Sequence, residues 1–411
     1  MKAAAKLIIC ILCMVSLTSC EKWFGKSGRY ENLLVVYSAG FNNLSNSLKD
    51  DISDIEKGTY IPGRKSKDAL VVVNHSTVSG GYSKATEPVV INIHKDKKGI
   101  VVRDTIRRFE SGTTLADAAV MRRVLSYVSE TFPASHSSLL FSSHGTGWVP
   151  EGYYDYPYEY RNDKKPSSIG SEVNPQKTSE NFEMSLTDFA GGIPVHFDCI
   201  YFDACLMGCV EVAYELKDVT DMIAFSPAEI LTDGFDYKTL AMNVLGLKSP
   251  QKVCSDYFEQ YDKRAGEYRS ATISLVDCSK LNALAGVCKD LFEKYRNEIG
   301  EVDHRDIQRY YRPSMTRIDG IWTSISHQWY FDLEDILIQS GASKADIDRL
   351  TAAVKACVTY KACTDAFLKE NNGFELTHYS GLSMYLPCAG SIYLDDCYKT
   401  LAWNKATALV K

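Results

Sequence analysis

Two side chains in this 411-residue sequence stand where chemistry is readily done, His144 and Cys205. His144 closes the apolar run "SLLFSS" and has Ser142, Ser143, Gly145 and Gly147 around it. Cys205 follows a second run, "CIYF", after Asp203 and Ala204. A thiol within reach of an imidazole is a nucleophile with its acid/base, the pair that opens an acyl group and lets water close the cycle. Taken singly, neither residue says much. A histidine after a strand is more often structural, and a cysteine among apolar residues more often buried and inert. Their matching positions shift that balance. The small neighbours of His144 leave room for a substrate backbone, and a glycine N–H there can donate to an oxyanion.

The two side chains meet only if their runs are neighbouring strands, so the elements must supply that. Short apolar, β-branched runs alternate with helical patterns, the signature of a parallel α/β sheet. "LLVVY" (33–37) and "ALVVV" (69–73) read as buried strands with a helix between them, and "VVINI" and "IVVRDTI" as a shorter strand pair. Ala118, Met121, Leu125, Val128 and Phe132 recur at three- and four-residue steps, one face of a helix. Thr114 and Asp117 offer its start and Pro133 its end. A short helix is expected over 184–191 and a strand over 199–202. Leu206, Cys209, Ala213 and Leu216 predict a helix beginning just after Cys205. On that reading Cys205 sits at a helix N-terminus, where the dipole favours a thiolate. Cys199 would lie inside the strand and Cys209 a full turn into the helix. In open α/β sheets functional groups gather at the carboxyl ends of strands, where both His144 and Cys205 fall.

Residues 149–182 break the alternation. They are rich in Tyr, Pro, Asn, Lys and Glu and show no period, and so long a loop in a compact domain is commonly functional. Beyond about residue 248 the pattern is mostly helical, broken by "ATISLV" (271–276) and "GLSMYLP" (381–387). The expected organisation is a catalytic domain over 31–247 and a helical C-terminal subdomain over 248–411 that contributes strands at those two places.

The first twenty residues, "MKAAAKLIICILCMVSLTSC", read as an export signal: two lysines, an apolar stretch from Leu7 to Leu17, then small residues. The ending "LTSC" resembles a bacterial lipobox, which makes 1–19 a lipoprotein signal peptide, Cys20 the lipid-modified residue and 20–30 a tether. The protein is then expected to be exported and held on a bacterial membrane by lipid on Cys20. Its net charge of −6, with no basic stripe, excludes a nucleic-acid partner and gives no help on anionic lipid. Ten cysteines follow Cys20 without a C-x-x-C pair or a Cys/His comb, so no metal site is read from them.

Beyond the two strand ends, "VVYSAGFNNL" (35–44), "GLSMYLP" and, more weakly, "FDLEDIL" (331–337) complete a recognisable set. With "HG" (144–145) and "DAC" (203–205) in this order, the sequence resembles the clostripain family of cysteine peptidases, relatives of caspases, gingipains and legumain, over roughly residues 31–390. The resemblance implies an α/β fold, a caspase-like sandwich of helices around a mostly parallel sheet. It implies a His144–Cys205 dyad acting on peptide or protein substrates, with backbone N–H groups of Gly145 and Cys205 holding the oxyanion. It implies no cofactor, and nothing in the sequence speaks for or against calcium. A monomer is expected. Family members cleave after Arg or Lys, which calls for a carboxylate in the specificity pocket. Asp203 matches one such position, and Asp233, with Glu229 nearby, falls in the segment that supplies another. Family members are also often cut between histidine and cysteine. Arg161 and Lys164 are the candidates here, with Lys177 behind them; Lys165 is disfavoured because Pro166 follows. The rival reading is an inert relative that serves as a surface binding module, against which the intact His144 and Cys205 argue. A nucleotide hydrolase would need a phosphate-cradling loop, and no Walker motif is present.

Overall fold

A computed structural model describes residues 29–78, 84–150, 153–154, 157, 169–174, 176, 181–318 and 321–411. The export signal, Cys20 and the processing candidates Arg161, Lys164 and Lys177 lie outside the described residues.

The strands are, in chain order, β1 (Tyr30–Ala39), β2 (Asp68–His75), β3 (Val89–Lys95), β4 (Val101–Arg108), β5 (Ala134–Ser142), β6 (Ile169–Val173) and β7 (Asn181–Met184). There follow β8 (Phe197–Asp203), β9 (Thr220–Phe225), β10 (Thr272–Asp277), β11 (Ser314–Ile318), β12 (Ile321–Ile325), β13 (Phe331–Asp332) and β14 (Val358–Cys363). Nine of them form one sheet in the order β14-β10-β9-β8-β5-β1-β2-β3-β4. Its centre, β9-β8-β5-β1-β2, is parallel, and β3, β4, β10 and β14 add antiparallel edges.

The unbroken apolar runs have a simple cause: both faces of the sheet are covered, so both side-chain sets must be apolar. Leu33, Val35, Tyr37, Val71, Val73, Leu139, Phe141, Ile200 and Phe202 enter one core. Their alternates Leu34, Val36, Leu70, Val72, Leu140, Cys199 and Tyr201 enter the other, as the two-residue period of a strand requires. Helices Ser45–Glu56 and Pro250–Asp262 cover the second face with Ile52, Ile55, Val253 and Tyr257. Helices Ala118–Thr131, Val210–Leu216 and Leu281–Lys294 cover the first, so one core runs on across residue 248.

Several expectations are corrected. Asp117 alone caps the helix Ala118–Thr131, accepting from Val120 N–H, while Thr114 donates to Glu172 instead. Part of the segment read as structureless is the antiparallel hairpin β6–β7. β10 joins the main sheet as expected near 271–276, but of 381–387 only Ser383–Met384 is strand, and it pairs with β13. The helix expected just after Cys205 begins at Val210. The residues between are held by contacts with Ser226 and Ala228, which outweigh the local helical pattern: Leu206 N–H donates to Ala228 at 2.9 Å and Gly208 N–H to Ser226 at 2.7 Å.

Candidate active site

Strands β5 and β8 are adjacent and parallel, with Ser142 opposite Asp203. His144 and Cys205 each lie two residues beyond that pair, so they leave the sheet level with each other on strands about 4.8 Å apart. Both line one cavity of about 460 Å³.

The glycines after His144 are needed for close approach. A Cβ at Gly145 would stand 3.0 Å from the carbonyl oxygen of Cys205 and 2.9 Å from Met207 Sδ. At Gly147, φ is +65° and a Cβ would stand 2.7 Å from the Leu206 carbonyl. The His-Gly loop therefore lies directly on the turn that carries Cys205. That turn is sharp: Leu206, a non-glycine residue, has φ +61°, a conformation tolerated where packing and hydrogen bonding over-determine it. C-terminal residues support the loop from behind. Tyr330 donates its hydroxyl to Thr146 O at 2.6 Å, and the buried Trp148 ring packs on Tyr385 and Tyr398.

His144 is oriented by a residue that sequence reasoning passed over. Its Nε2 lies 2.5 Å from Asn43 Oδ1. A carbonyl oxygen only accepts, so Nε2 carries the proton and Nδ1 keeps the lone pair. Asn42 presets the turn by donating to Ala39 O and Ser171 O and accepting from Leu44 N–H. The signal was present in "NNL", but only as a turn. Burial holds the His144 pKa below its ordinary value, so the ring is a neutral base.

The state of Cys205 is the reverse of the sequence expectation. It stands outside any helix, and its thiol is pushed up to about 12, chiefly by burial and then by the Glu229 charge. The Ile230 N–H, 3.4 Å from Sγ, pulls the other way. The residue at the helix start is Cys209, which is fully buried.

The three candidate pocket acids separate. Glu229 lines the cavity, and Arg312 Nε donates to its Oε2 at 2.7 Å. Asp203 is buried and is not among the residues lining the cavity, and Tyr237 and Ser142 donate to its Oδ2 at 2.5 and 3.2 Å. Burial pushes its pKa up to about 6 against those two hydrogen bonds. Asp233 is not among the residues lining the cavity and pairs with Arg264 at 2.8 Å. The structure thus brings His144, Gly145, Cys205 and Glu229 together and leaves Asp203 and Asp233 off the cavity wall. Arg312 had no sequence signal, since it enters from the far end of the chain.

Glu172 was missed as well. It anchors hairpin β6–β7 beside the cavity, fully buried, accepting from His75 at 2.8 Å, Thr114 at 2.6 Å and Leu115 N–H at 2.8 Å. Burial alone would raise its pKa, but these partners outweigh it and hold the carboxylate below its ordinary value. Among the described residues, no group of three or more His, Cys, Asp or Glu side chains is placed to hold a metal ion.

Two solved structures share this fold. One is an inactive zymogen protease from Parabacteroides distasonis, 23% identical, with TM-score 0.74 over 92% of this chain and 98% of that one. The other is a secreted cysteine protease from Bacteroides thetaiotaomicron in complex with an irreversible peptide inhibitor, 22% identical, with TM-score 0.73 over 92% and 99%. Comparison with curated proteins gives no match. The model of the clostripain family matches residues 36–407, so this chain belongs to the clostripain family of cysteine peptidases.

Proposed function

We propose that the protein is an exported endopeptidase that cuts on the acyl side of Arg or Lys, with Cys205 as nucleophile and His144 as its acid/base. The observation that carries this reading is the level placement of the two side chains at the ends of adjacent parallel strands, in one cavity. The Cys205 sulfur attacks the scissile carbonyl as its proton passes to the free Nδ1 of His144. The imidazolium then protonates the leaving amine, and the neutral ring activates water to hydrolyse the thioester. The N–H groups of Gly145 and Cys205 hold the oxyanion, since the two backbones already meet at this point.

Basic specificity rests on Glu229, the one of the three candidate acids that lines the cavity. Export and the lipid on Cys20 rest on the first twenty residues, and the Bacteroides neighbour is itself described as secreted. In a peptide library, cleavage after Arg and Lys is expected to exceed cleavage after Ala or Asp by tenfold or more. Equal cleavage after Ala, Asp and Arg would refute the basic pocket.

Tyr154, from the segment between His144 and Cys205, lines the cavity, as an uncut connection across the cleft would. We expect maturation by cleavage within 149–182, at Arg161 or Lys164 before Lys177. Mass spectrometry should show two chains for wild type and one for Cys205→Ala. A wild-type chain that stays intact while fully active removes this step.

A further inference from the structure

The cavity that holds the two reactive side chains already contains a cation. Of its described lining residues, Glu183 and Glu229 are acidic and Arg312 is the one lysine or arginine. Arg312 belongs to the segment just before hairpin β11–β12 and reaches across to Glu229, 2.7 Å away. The pair is partly covered, with the Glu229 side chain 19% and the Arg312 side chain 33% exposed. Cys205, Glu229 and Arg312 line the same cavity.

A carboxylate withdrawn this far from water is costly to leave unpaired. We infer that Arg312 is an internal occupant of the cation subsite, pairing Glu229 in the empty enzyme and yielding it to the basic side chain of a substrate. This rests on the proposed preference for Arg or Lys and adds to it a residue of this chain that sets the apparent affinity. The exchange replaces one cation by another on the same carboxylate, so neither state leaves a buried charge alone. The Arg312 side chain keeps a third of its surface exposed.

The main chain at Arg312 has a polar contact separate from the ion pair its side chain makes. The two ring nitrogens of His327 lie 3.2 Å from the Arg312 carbonyl oxygen and 3.0 Å from that of Tyr154, and a neutral ring donates to one of them. Its ring stacks on Tyr154, with centroids 3.8 Å apart. The occupant is thus tied to Tyr154, which itself lines the cavity.

The test uses agmatine, an alkylguanidinium, binding to the full chain in the inactive Cys205→Ala background, read by calorimetry so that no turnover is needed. Adding Arg312→Ala is expected to tighten agmatine binding tenfold or more, and adding Glu229→Gln to that protein should abolish the gain. Arg312→Gln, which keeps most of the side-chain length, should behave as Arg312→Ala does, with melting curves confirming that each variant is folded. In the active enzyme, Arg312→Ala should lower KM for Arg and Lys substrates, with kcat little changed and no gain on norleucine. Agmatine binding that is equal or weaker without Arg312, in folded protein, overturns the inference. Loss of basic preference in the wild-type cleavage profile would instead overturn the reading on which it rests, so the two failures are told apart.

Discussion

Cys205→Ala is expected to reduce peptidase turnover by about four to six orders of magnitude, as removal of a catalytic nucleophile does elsewhere. His144→Ala should cost nearly as much. The double variant should be little worse than either, because the two groups act as a unit. Cys209→Ala is the control. Cys209 is buried and packs beneath Gly147, where a Cβ would stand 3.1 Å from its sulfur, so its loss should lower stability without touching the chemistry. Initial rates of the purified variants on one peptide substrate decide the matter, and full activity in Cys205→Ala sinks the dyad. The depressed His144 pKa adds a second reading. The protonated ring is no base, so the acidic limb of kcat/KM should lie below the ordinary imidazole value of about 6.5.

The second large effect concerns stability. Asp51, on helix Ser45–Glu56, is buried, and its Oδ2 has no hydrogen-bond partner among the described residues. Burial first, and then the charge of Asp203, push its pKa from 3.8 up to about 9. A carboxyl raised in the folded state favours folding fully below its unfolded pKa, and that advantage is lost as pH rises through the folded value. Asp51 therefore opposes folding increasingly between about pH 4 and pH 9. Each pKa unit of that rise costs about 1.4 kcal/mol of stability above it, so the penalty at pH 7 is on the order of a few kcal/mol and is shared with Asp203. Asp51→Asn keeps the shape of the neutral acid at every pH. It should raise the urea midpoint at pH 7 by an amount equivalent to a few kcal/mol, and flatten the decline from pH 4 to 9. Asp203 and Glu211, pushed up to about 6 and about 7 by burial, should leave a smaller slope that ends near neutrality. An unchanged slope in Asp51→Asn means that this carboxyl is not the cause.

What the sequence determined by itself was whatever a short stretch of chain encodes. Runs such as "LLVVY" and "CIYF" are apolar at every position because both faces of the sheet are covered, so strand identity and the parallel α/β class were legible without tertiary information. The positions of His144 and Cys205 at the ends of such runs carried the site, and the register of β5 against β8 sets them level. Asp117 as a helix cap was legible for the same local reason.

Tertiary structure decided what depends on distant partners. The helical pattern from Leu206 onward was outweighed by hydrogen bonds to Ser226 and Ala228, which moved the helix start to Val210. Asp203 and Asp233 are acids at plausible sequence positions, but Tyr237 claims one and Arg264 the other. Asn43, Glu172 and Arg312 meet His144, His75 and Glu229 across long stretches of chain. A carboxylate's role depends on which donor and how much water reach it, and both are properties of the packed fold rather than of neighbours in sequence.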